Sequence, residues 1–340
     1  MRTYICFFLV LILSNSIPAQ HGAFYSLTSS RFARATGLGN VFTGIAEGAE
    51  AAYYNNAGLA FENNIGFAYS NGFGFNLRTS QPTGYNVAFC LPINILNGSI
   101  SGYILNTENE FTFPFNATVV NLSYSRIIFA KFAIGFGLIY QHANPVPNTQ
   151  TQINRGVVDA MLSGLYKSGK FKYISETDEI TVGFRFNNIL STDLNSREFN
   201  HFSANEFRIG LSYKIRPEIL YNDIYWFKFL IASDVVWHLN DYNSGYLAPN
   251  FGFEFTFLEI FSARYGREQR EEVIWEGKIS SRKFNIRRLG LGFKLPLNRL
   301  FLLKKKFYLA LNCVFSDWKE IVGLSCEDPF MTAEIVYQLK

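Results

Sequence analysis

The sequence predicts an all-β protein, a transmembrane antiparallel β-barrel of about 14 strands that follows a non-strand N-terminal segment. Three observations predict this fold. Many segments of about ten residues alternate apolar and polar residues with period two, as the tilted strands of a membrane barrel do. Aromatic residues make up 17% of the chain and charged residues only 17%, against about 25% in ordinary globular domains. After residue 13, no apolar run reaches the roughly 20 residues that a membrane-spanning helix needs.

The chain begins like an exported protein. Arg2 precedes an apolar run at 4–13, and Ala19 offers a small residue for cleavage. We therefore predict a signal peptide over residues 1–19. Cys6 lies inside the apolar run, which argues against a lipid anchor on a new N-terminal cysteine. Export together with a barrel predicts the outer membrane of a Gram-negative bacterium.

Period two defines the strands. In one segment Phe207, Ile209 and Leu211 alternate with Arg208 and Gly210, so one face is apolar and the other polar. The predicted strands lie at 63–73, 83–92, 98–107, 117–126, 132–142, 156–167, 178–188, 204–215, 225–237, 248–257, 260–266, 285–295, 307–315 and 330–339. Their even number fits a barrel with both ends on one side. A soluble periplasmic β-protein that binds a ligand is the alternative, although its strands would average about five or six residues.

The connections between these strands separate into two kinds. We assign the longer polar ones to the outside, at 143–154, 191–203, 238–245 and 267–284. We assign the short ones to the periplasm, at 92–98, 127–131 and 257–260. Two further periplasmic connections, at 168–178 and 296–306, are longer than this class usually has.

No catalytic or metal-binding pattern is present in the sequence. Four histidines are far apart and form no HExxH motif, and the chain has no GxSxG motif or P-loop. Cys90, Cys313 and Cys326 have no metal spacing and are interpreted as unpaired thiols, with a disulfide between the last two left open. The sequence therefore predicts a protein that is not an enzyme and needs no metal or cofactor. A net charge of +4 gives no support for nucleic-acid binding.

Charged residues within the predicted strands are expected to face the barrel lumen. A charge on the lipid face near the bilayer midplane would cost about 2 to 4 kcal/mol. These side chains either pair with one another or line a ligand path. The predicted lumen-facing residues are Arg185, Glu206, Arg208, Glu254, Lys294 and Glu334.

A motif within residues 33–60 resembles the N-terminal segment of the PorV/PorQ family, within the wider FadL-like outer-membrane superfamily. That family typically has A-R-x-x-G-M-G near the start of the motif and Y-x-N-P-A-G-L near its end. The chain departs from the pattern at Asn56, where the family has proline, and at residues 47–48, where acidic pairs are common. The residues that carry the match are Gly37, Gly39, Tyr54, Asn55, Gly58 and Leu59.

The resemblance implies a fourteen-stranded barrel over residues 62–340, with residues 20–61 folded inward as a plug. PorV-like members are non-enzymatic accessory barrels of type IX secretion in Bacteroidetes, and they bind secreted cargo or a larger translocon barrel. The sequence favours this function. The alternative is a FadL-like channel for long-chain fatty acids or other hydrophobic small molecules. The expected partners are therefore outer-membrane lipid and a cargo or translocon protein or, in the alternative, a hydrophobic small molecule.

The candidate partner site lies in the predicted outer loop at 267–284. Arg267, Arg270 and Trp275 stand there among acidic residues. Arginine and aromatic side chains are enriched where proteins contact one another. The alternative is a mobile loop that binds no partner.

Overall fold

The structure is a computed structural model that describes most of the chain after residue 31. The described residues are 32–72, 83–93, 97–109, 115–145, 155–175, 177–190, 192–193, 205–217, 220–221, 224–239, 246–275, 279–300, 307–317 and 330–338. The predicted signal peptide, Cys326 and the tips of most outer connections lie outside these ranges.

Fourteen strands form a closed antiparallel wall. Each wall strand pairs with the next wall strand along the chain, and the first, at Asn64–Gly72, pairs with the last, at Phe330–Gln338, which closes the ring. The wall strands are β1 (Asn64–Gly72), β2 (Thr83–Ile93), β3 (Gly98–Asn109), β4 (Phe115–Phe129), β5 (Phe132–Pro145), β6 (Arg155–Lys167), β7 (Glu179–Asn187), β9 (Asn205–Ile215), β12 (Phe227–Leu239), β13 (Tyr246–Phe257), β14 (Phe261–Trp275), β15 (Ile279–Leu295), β16 (Phe307–Asp317) and β17 (Phe330–Gln338). The predicted fold class is thereby confirmed.

Three short strands stand outside the regular wall. β8 (Thr192–Asp193) pairs with the outer half of β6 after a break in β7 at Asn188, whose φ is 59°. β10 (Leu220–Tyr221) and β11 (Ile224–Tyr225) form a small hairpin at the end of the barrel that carries the short turns. In outer-membrane barrels that end faces the periplasm. The two long connections predicted at that end also carry structure, because Phe171 and Asp178 form a β-bridge and Leu297–Leu300 form a short helix.

One predicted connection is wrong. Residues 267–284 were expected to form a loop, but β14 continues to Trp275 and β15 begins at Ile279. The two strands pair without interruption from Phe261 with Phe293 to Trp275 with Ile279. Arg267, Arg270 and Trp275 therefore lie on a strand.

The outer face of the wall is apolar. Side chains at alternate positions, such as Ile209 and Leu211, are exposed, whereas Arg208 and Ser212 on either side of them are buried toward the lumen. The same division holds along β15, where Leu289 and Leu291 are exposed. Exposed apolar side chains around a closed wall form the hydrocarbon-facing belt of a membrane barrel.

We expect Leu122→Arg to destabilise the folded barrel in lipid by about 2 to 4 kcal/mol, because Leu122 faces outward at the centre of β4. Its side chain is 61% exposed, so in a soluble protein the same change would cost almost nothing. Urea unfolding in lipid vesicles measures the difference. Tyr166→Arg, near the periplasmic end of β6, is the control and should cost only about 0 to 1 kcal/mol. Equal costs at both positions would contradict a membrane-spanning wall.

The N-terminal segment fills the lumen. Helix α1 (Ala33–Gly37), helix α2 (Ala51–Tyr54) and a 3-10 helix (Asn56–Phe61) are joined by turns and are largely buried. Helix α1 packs on β14–β17, and the 3-10 helix packs on β3–β6. We call residues 32–61 the plug. A last short helix, α3 (Leu297–Leu300), precedes β16, and no helix among the described residues is long and apolar enough to cross a membrane.

Candidate functional site

The plug touches the wall backbone to backbone at glycines. A Cβ atom on Gly266 of β14 would lie 2.0 Å from the amide nitrogen of Gly39, and one on Gly44 would lie 2.8 Å from the carbonyl carbon of Gly210 in β9. Gly39 also has a φ of +71°, which a side chain would strain. The small residues of the motif therefore allow the plug to seal against the wall at several strands.

Two asparagines anchor the end of the plug to β5 and β6. The Asn55 amide donates to the carbonyl oxygens of Thr43 (2.8 Å) and Gly164 (3.1 Å), and its oxygen accepts from the amide of Ala57 at the start of the 3-10 helix. The Asn56 side-chain oxygen accepts from the Ser163 hydroxyl of the wall, and its amide donates to the Phe136 carbonyl of β5 at 3.3 Å. A proline here, as in the family pattern, could not make these side-chain contacts.

The other motif residues also lie within the plug. The Tyr54 hydroxyl donates to the Asn40 side-chain oxygen at 3.1 Å, and Leu59 is fully buried. A Cβ on Gly58 would lie 2.2 Å from the carbonyl oxygen of Ala46, so only glycine fits. Gly37 meets the backbone of Gly290 in β15.

A buried ion network joins β7, β9 and the plug. Glu206 lies between Arg185 and Arg208, pairing with the first and binding the second through both oxygens at 2.6 and 3.1 Å. Arg185 donates to the Tyr53 carbonyl at 2.5 Å, and Arg208 reaches the carbonyl of Asn40 at 3.5 Å. Arg185 and Glu206 are 0% exposed, and the two arginines attach the plug to the inner face of the wall through its backbone carbonyls.

A second network holds the start of the plug. Arg34 donates to both oxygens of Glu254 in β13 at 3.1 Å and pairs with Glu47 of the plug at 3.3 Å. Arg264 of β14 binds the same Glu254 at 2.6 Å. Lys214 of β9 pairs with Glu47. These ion pairs between plug and wall stabilise a single position of the plug inside the barrel.

Wall side chains also satisfy backbone groups of the plug. The Asp234 carboxylate accepts from the amides of Phe42 (3.2 Å) and Thr43 (3.1 Å), and Glu334 accepts from the Ala49 amide at 2.9 Å. The Ser99 hydroxyl donates to the Leu59 carbonyl, and Thr332 accepts from the Ala33 amide. Of these wall residues only Glu334 was predicted as lumen-facing, since a polar residue at an inner position looks the same whether or not it has a plug partner.

The lumen has a charged side and a largely uncharged side. Inner positions of β3–β6 carry buried apolar side chains beside small polar ones such as Ser101, Asn121 and Ser125, whereas inner positions of β7–β17 carry most of the buried ionisable ones. The apolar set comprises Leu105, Val119, Ile139, Met161 and Leu165. The charged set comprises Arg185, Glu206, Arg208, Lys214, Asp234, Glu254, Arg264, Glu268 and Arg288. The plug matches this division, because its 3-10 helix packs on β3–β6 and its charged residues Arg34 and Glu47 pair with β13 and β9.

A cavity of about 310 Å³ lies between the plug and the periplasmic mouth. Its lining is mostly polar and includes the remaining predicted lumen residues, Lys294 and Glu334, with Lys228 and Glu62. The Lys294 ammonium lies 3.7 Å from the centre of the Tyr308 ring. Burial, followed by the charge of Glu47, raises the pKa of Glu62. This cavity suits water and ions better than an apolar molecule.

The described residues offer no candidate metal site. No group of three or more His, Cys, Asp and Glu side chains is placed to hold a metal ion within them. Cys90 is a buried thiol and Cys313 is partly buried, and neither forms a disulfide in this part of the chain.

The closed wall, its apolar belt and the seated plug define the class of the protein. It is an outer-membrane β-barrel of fourteen strands whose lumen is plugged by its own N-terminal segment.

Comparisons with known proteins give a likeness in fold alone. No family model and no curated protein matches the chain. It is similar to the CymD monoaromatic hydrocarbon channel, at 10% identity and a TM-score of 0.49, over 91% of this chain and 97% of that chain. It is also similar to a Pseudomonas aeruginosa FadL homologue (9%, 0.48, 92% and 99%) and to the P. putida toluene transporter TodX (9%, 0.48, 92% and 98%). FadL-type barrels are thus among the similar structures, and PorV/PorQ membership stays a prediction.

Proposed function

We propose that this protein is a non-catalytic outer-membrane barrel that binds a protein at its outer rim, as a PorV/PorQ-type accessory barrel of type IX secretion would. The observation that carries the proposal is a two-stranded ribbon formed by the outer ends of β14 and β15. We call residues 268–275 and 279–286 the rim ribbon. The plug supports the same proposal, because a plug seated by two ion networks makes passive diffusion a poor role for this lumen.

The rim ribbon continues beyond the regular ladder with its neighbours. β13 itself runs on to Tyr246, and its Asn250 side-chain oxygen accepts from the Gln269 amide at 2.9 Å. Pairing of β14 with β13 ends at Arg267, and pairing of β15 with β16 ends at Arg287. Beyond these residues the two strands of the ribbon stay paired, from Glu268 opposite Ile286 to Trp275 opposite Ile279. At roughly 3.4 Å per residue this is a length of about 27 Å. Within the described residues, its two outer edges pair with no further strand.

Such edges fit an extended peptide. An unpaired strand edge presents alternating N–H and C=O groups, and a partner segment that adds as a further strand satisfies them. Glu271 stands opposite Lys283 in the ribbon, and Glu272 stands opposite Arg282. Charged residues along a strand edge make its pairing selective for a segment of complementary charge. Arg270 and Trp275, predicted as partner contacts, lie on this ribbon.

Removing the ribbon tests the proposal. In the variant, residues 270–284 are replaced by Asn-Gly, which joins Gln269 to its ladder partner Asn285 by a two-residue hairpin turn. In a strain lacking the native protein, we expect this variant to form a heat-modifiable barrel but to lose co-purification with the translocon barrel or secreted cargo. Type IX secretion should fall with it.

The control shortens a different outer connection, at 240–245, and should leave both secretion and co-purification intact. Normal secretion by the ribbonless barrel would contradict the proposal.

A FadL-like conduit for hydrophobic molecules is the second candidate, and the buried apolar side chains among the inner positions of β3–β6 favour it. Leu105, Val119 and Ile139 would line a path along that side if the plug shifted. Uptake of a fluorescent long-chain fatty acid by the same strains separates the two candidates. Loss of uptake with normal secretion, on deletion of the protein, would favour the conduit.

A further inference from the structure

The periplasmic ends of β4–β7 carry an unusual surface. Tyr173 (81% exposed), Phe129 (70%) and Ile174 (64%) are the most exposed large hydrophobic side chains among the described residues. They share this end of the barrel with exposed lysines. We call the following set the periplasmic patch: Phe129, Lys131, Lys170, Lys172, Tyr173 and Ile174.

The patch is built on a fixed loop. The Asp178 carboxylate accepts from the amides of Ile174 (2.7 Å) and Ser175 (3.1 Å), and the Tyr213 hydroxyl donates to it at 2.7 Å. Burial alone would raise the pKa of Asp178. These hydrogen bonds, together with one from the Ser175 hydroxyl, instead lower that pKa to about 2. The carboxylate therefore remains charged at neutral pH, and the loop presents Tyr173 and Ile174 in a set position.

The loop lies on the lipid side of the wall. Tyr213 belongs to the outer face of β9, which also carries the exposed Ile209 and Leu211. The Phe171 ring stacks on Tyr213 with centroids 6.4 Å apart. A loop folded against the outer face places its exposed side chains where the belt meets the periplasmic headgroups. Tyrosine beside apolar residues is typical of that depth.

The two parts of the patch are joined. The Lys131 carbonyl in the β4–β5 turn accepts from the Lys167 amide at 2.8 Å, and the Lys131 side chain passes near Gly169. Lys131 and Lys170 are exposed at this junction.

We propose that the periplasmic patch binds the headgroups of anionic phospholipids in the periplasmic leaflet. Its lysines provide charge complementarity to phosphate groups, and Phe129, Tyr173 and Ile174 provide apolar contact at the acyl boundary. A periplasmic protein would need the same side chains exposed to water. Their position against the lipid-facing wall favours the membrane.

The test measures the depth of residue 173 in a bilayer. A nitroxide is attached to Tyr173→Cys after the native cysteines are replaced by alanine, and the refolded barrel is placed in phosphatidylcholine with or without phosphatidylglycerol. We expect the label to contact oxygen more than a water-soluble nickel complex, most strongly with phosphatidylglycerol. A label at Glu259→Cys, in the β13–β14 turn, is the control and should stay in water in both bilayers.

The lysines are tested separately. We expect Lys131→Gln with Lys170→Gln to lower the preference of spin-labelled phosphatidylglycerol over phosphatidylcholine by about fivefold per lysine, while the barrel remains heat-modifiable. A label at 173 as accessible to water as that at 259 in both bilayers would overturn the proposal and leave the patch to a periplasmic protein. An unchanged lipid preference in the double variant would also overturn it.

Discussion

Glu206→Gln is expected to lower the free energy of unfolding by about 3 to 5 kcal/mol, because it leaves two buried arginines without their counter-charge. Arg185 and Arg208 would then repel each other across a site that water does not reach. The glutamine oxygen can still accept, but its amino group opposes the guanidinium donors. Urea unfolding in detergent micelles, followed by tryptophan fluorescence, measures the loss.

Arg267→Gln is the matched control for the loss of a charged group from the same wall. Its guanidinium is exposed and donates to Asn285 at 3.1 Å, so its removal should cost less than about 0.5 kcal/mol. A second comparison combines Glu206→Gln with Arg185→Met. Removing one of the two like charges should recover part of the lost free energy of unfolding. If none is recovered, the cost of Glu206→Gln has another source.

The strands were predictable because each one carries its own signal. Alternation of Phe207, Ile209 and Leu211 with polar residues follows from the two environments of one strand and requires no knowledge of its neighbours. The predicted and observed bounds of β9 differ by one residue at one end, 204–215 against Asn205–Ile215. Inward placement of Glu206 and Arg208 follows from the same alternation.

The contacts of the site were not predictable in this way. Asp234 binds the amides of Phe42 and Thr43 across 192 and 191 positions of the chain, and no local pattern indicates which inner carboxylate meets the plug. The partner of each lumen charge depends on the register of the wall and on the path of the plug. These are long-range properties that a single sequence does not display.

The rim ribbon was missed for a different reason. A strand inside the membrane has one face in lipid, and this produces the alternation that identifies it. Residues 268–275 lie beyond the paired part of the wall, so hydrocarbon imposes no such constraint on them, and their run of charges resembles a loop. Hydrophobic periodicity therefore indicates the height of the belt better than the length of the strands.

Gly266→Ala is expected to displace the plug while the wall still forms. The new Cβ would lie 2.0 Å from the amide nitrogen of Gly39 and 2.3 Å from the carbonyl carbon of Leu38, and backbone atoms at such distances have to move. Alanine suits a strand at least as well as glycine, so the cost, on the order of 1 to 3 kcal/mol, falls on the contact between plug and wall. We expect ion conductance in planar bilayers and faster trypsin cleavage after Arg34, whose side chain is only 16% exposed while the plug is seated.

Gly290→Ala provides the contrast, because it changes a glycine on the adjacent strand that faces the same plug. Its Cβ would meet Arg264 at 3.2 Å and the Gly37 Cα at 3.3 Å, which a shift of a few tenths of an ångström relieves. The plug should remain seated, so conductance and trypsin sensitivity should match those of the unaltered protein. If Gly266→Ala behaved the same way, the close backbone contact would not be what seals the lumen, and the two ion networks would have to hold the plug without it.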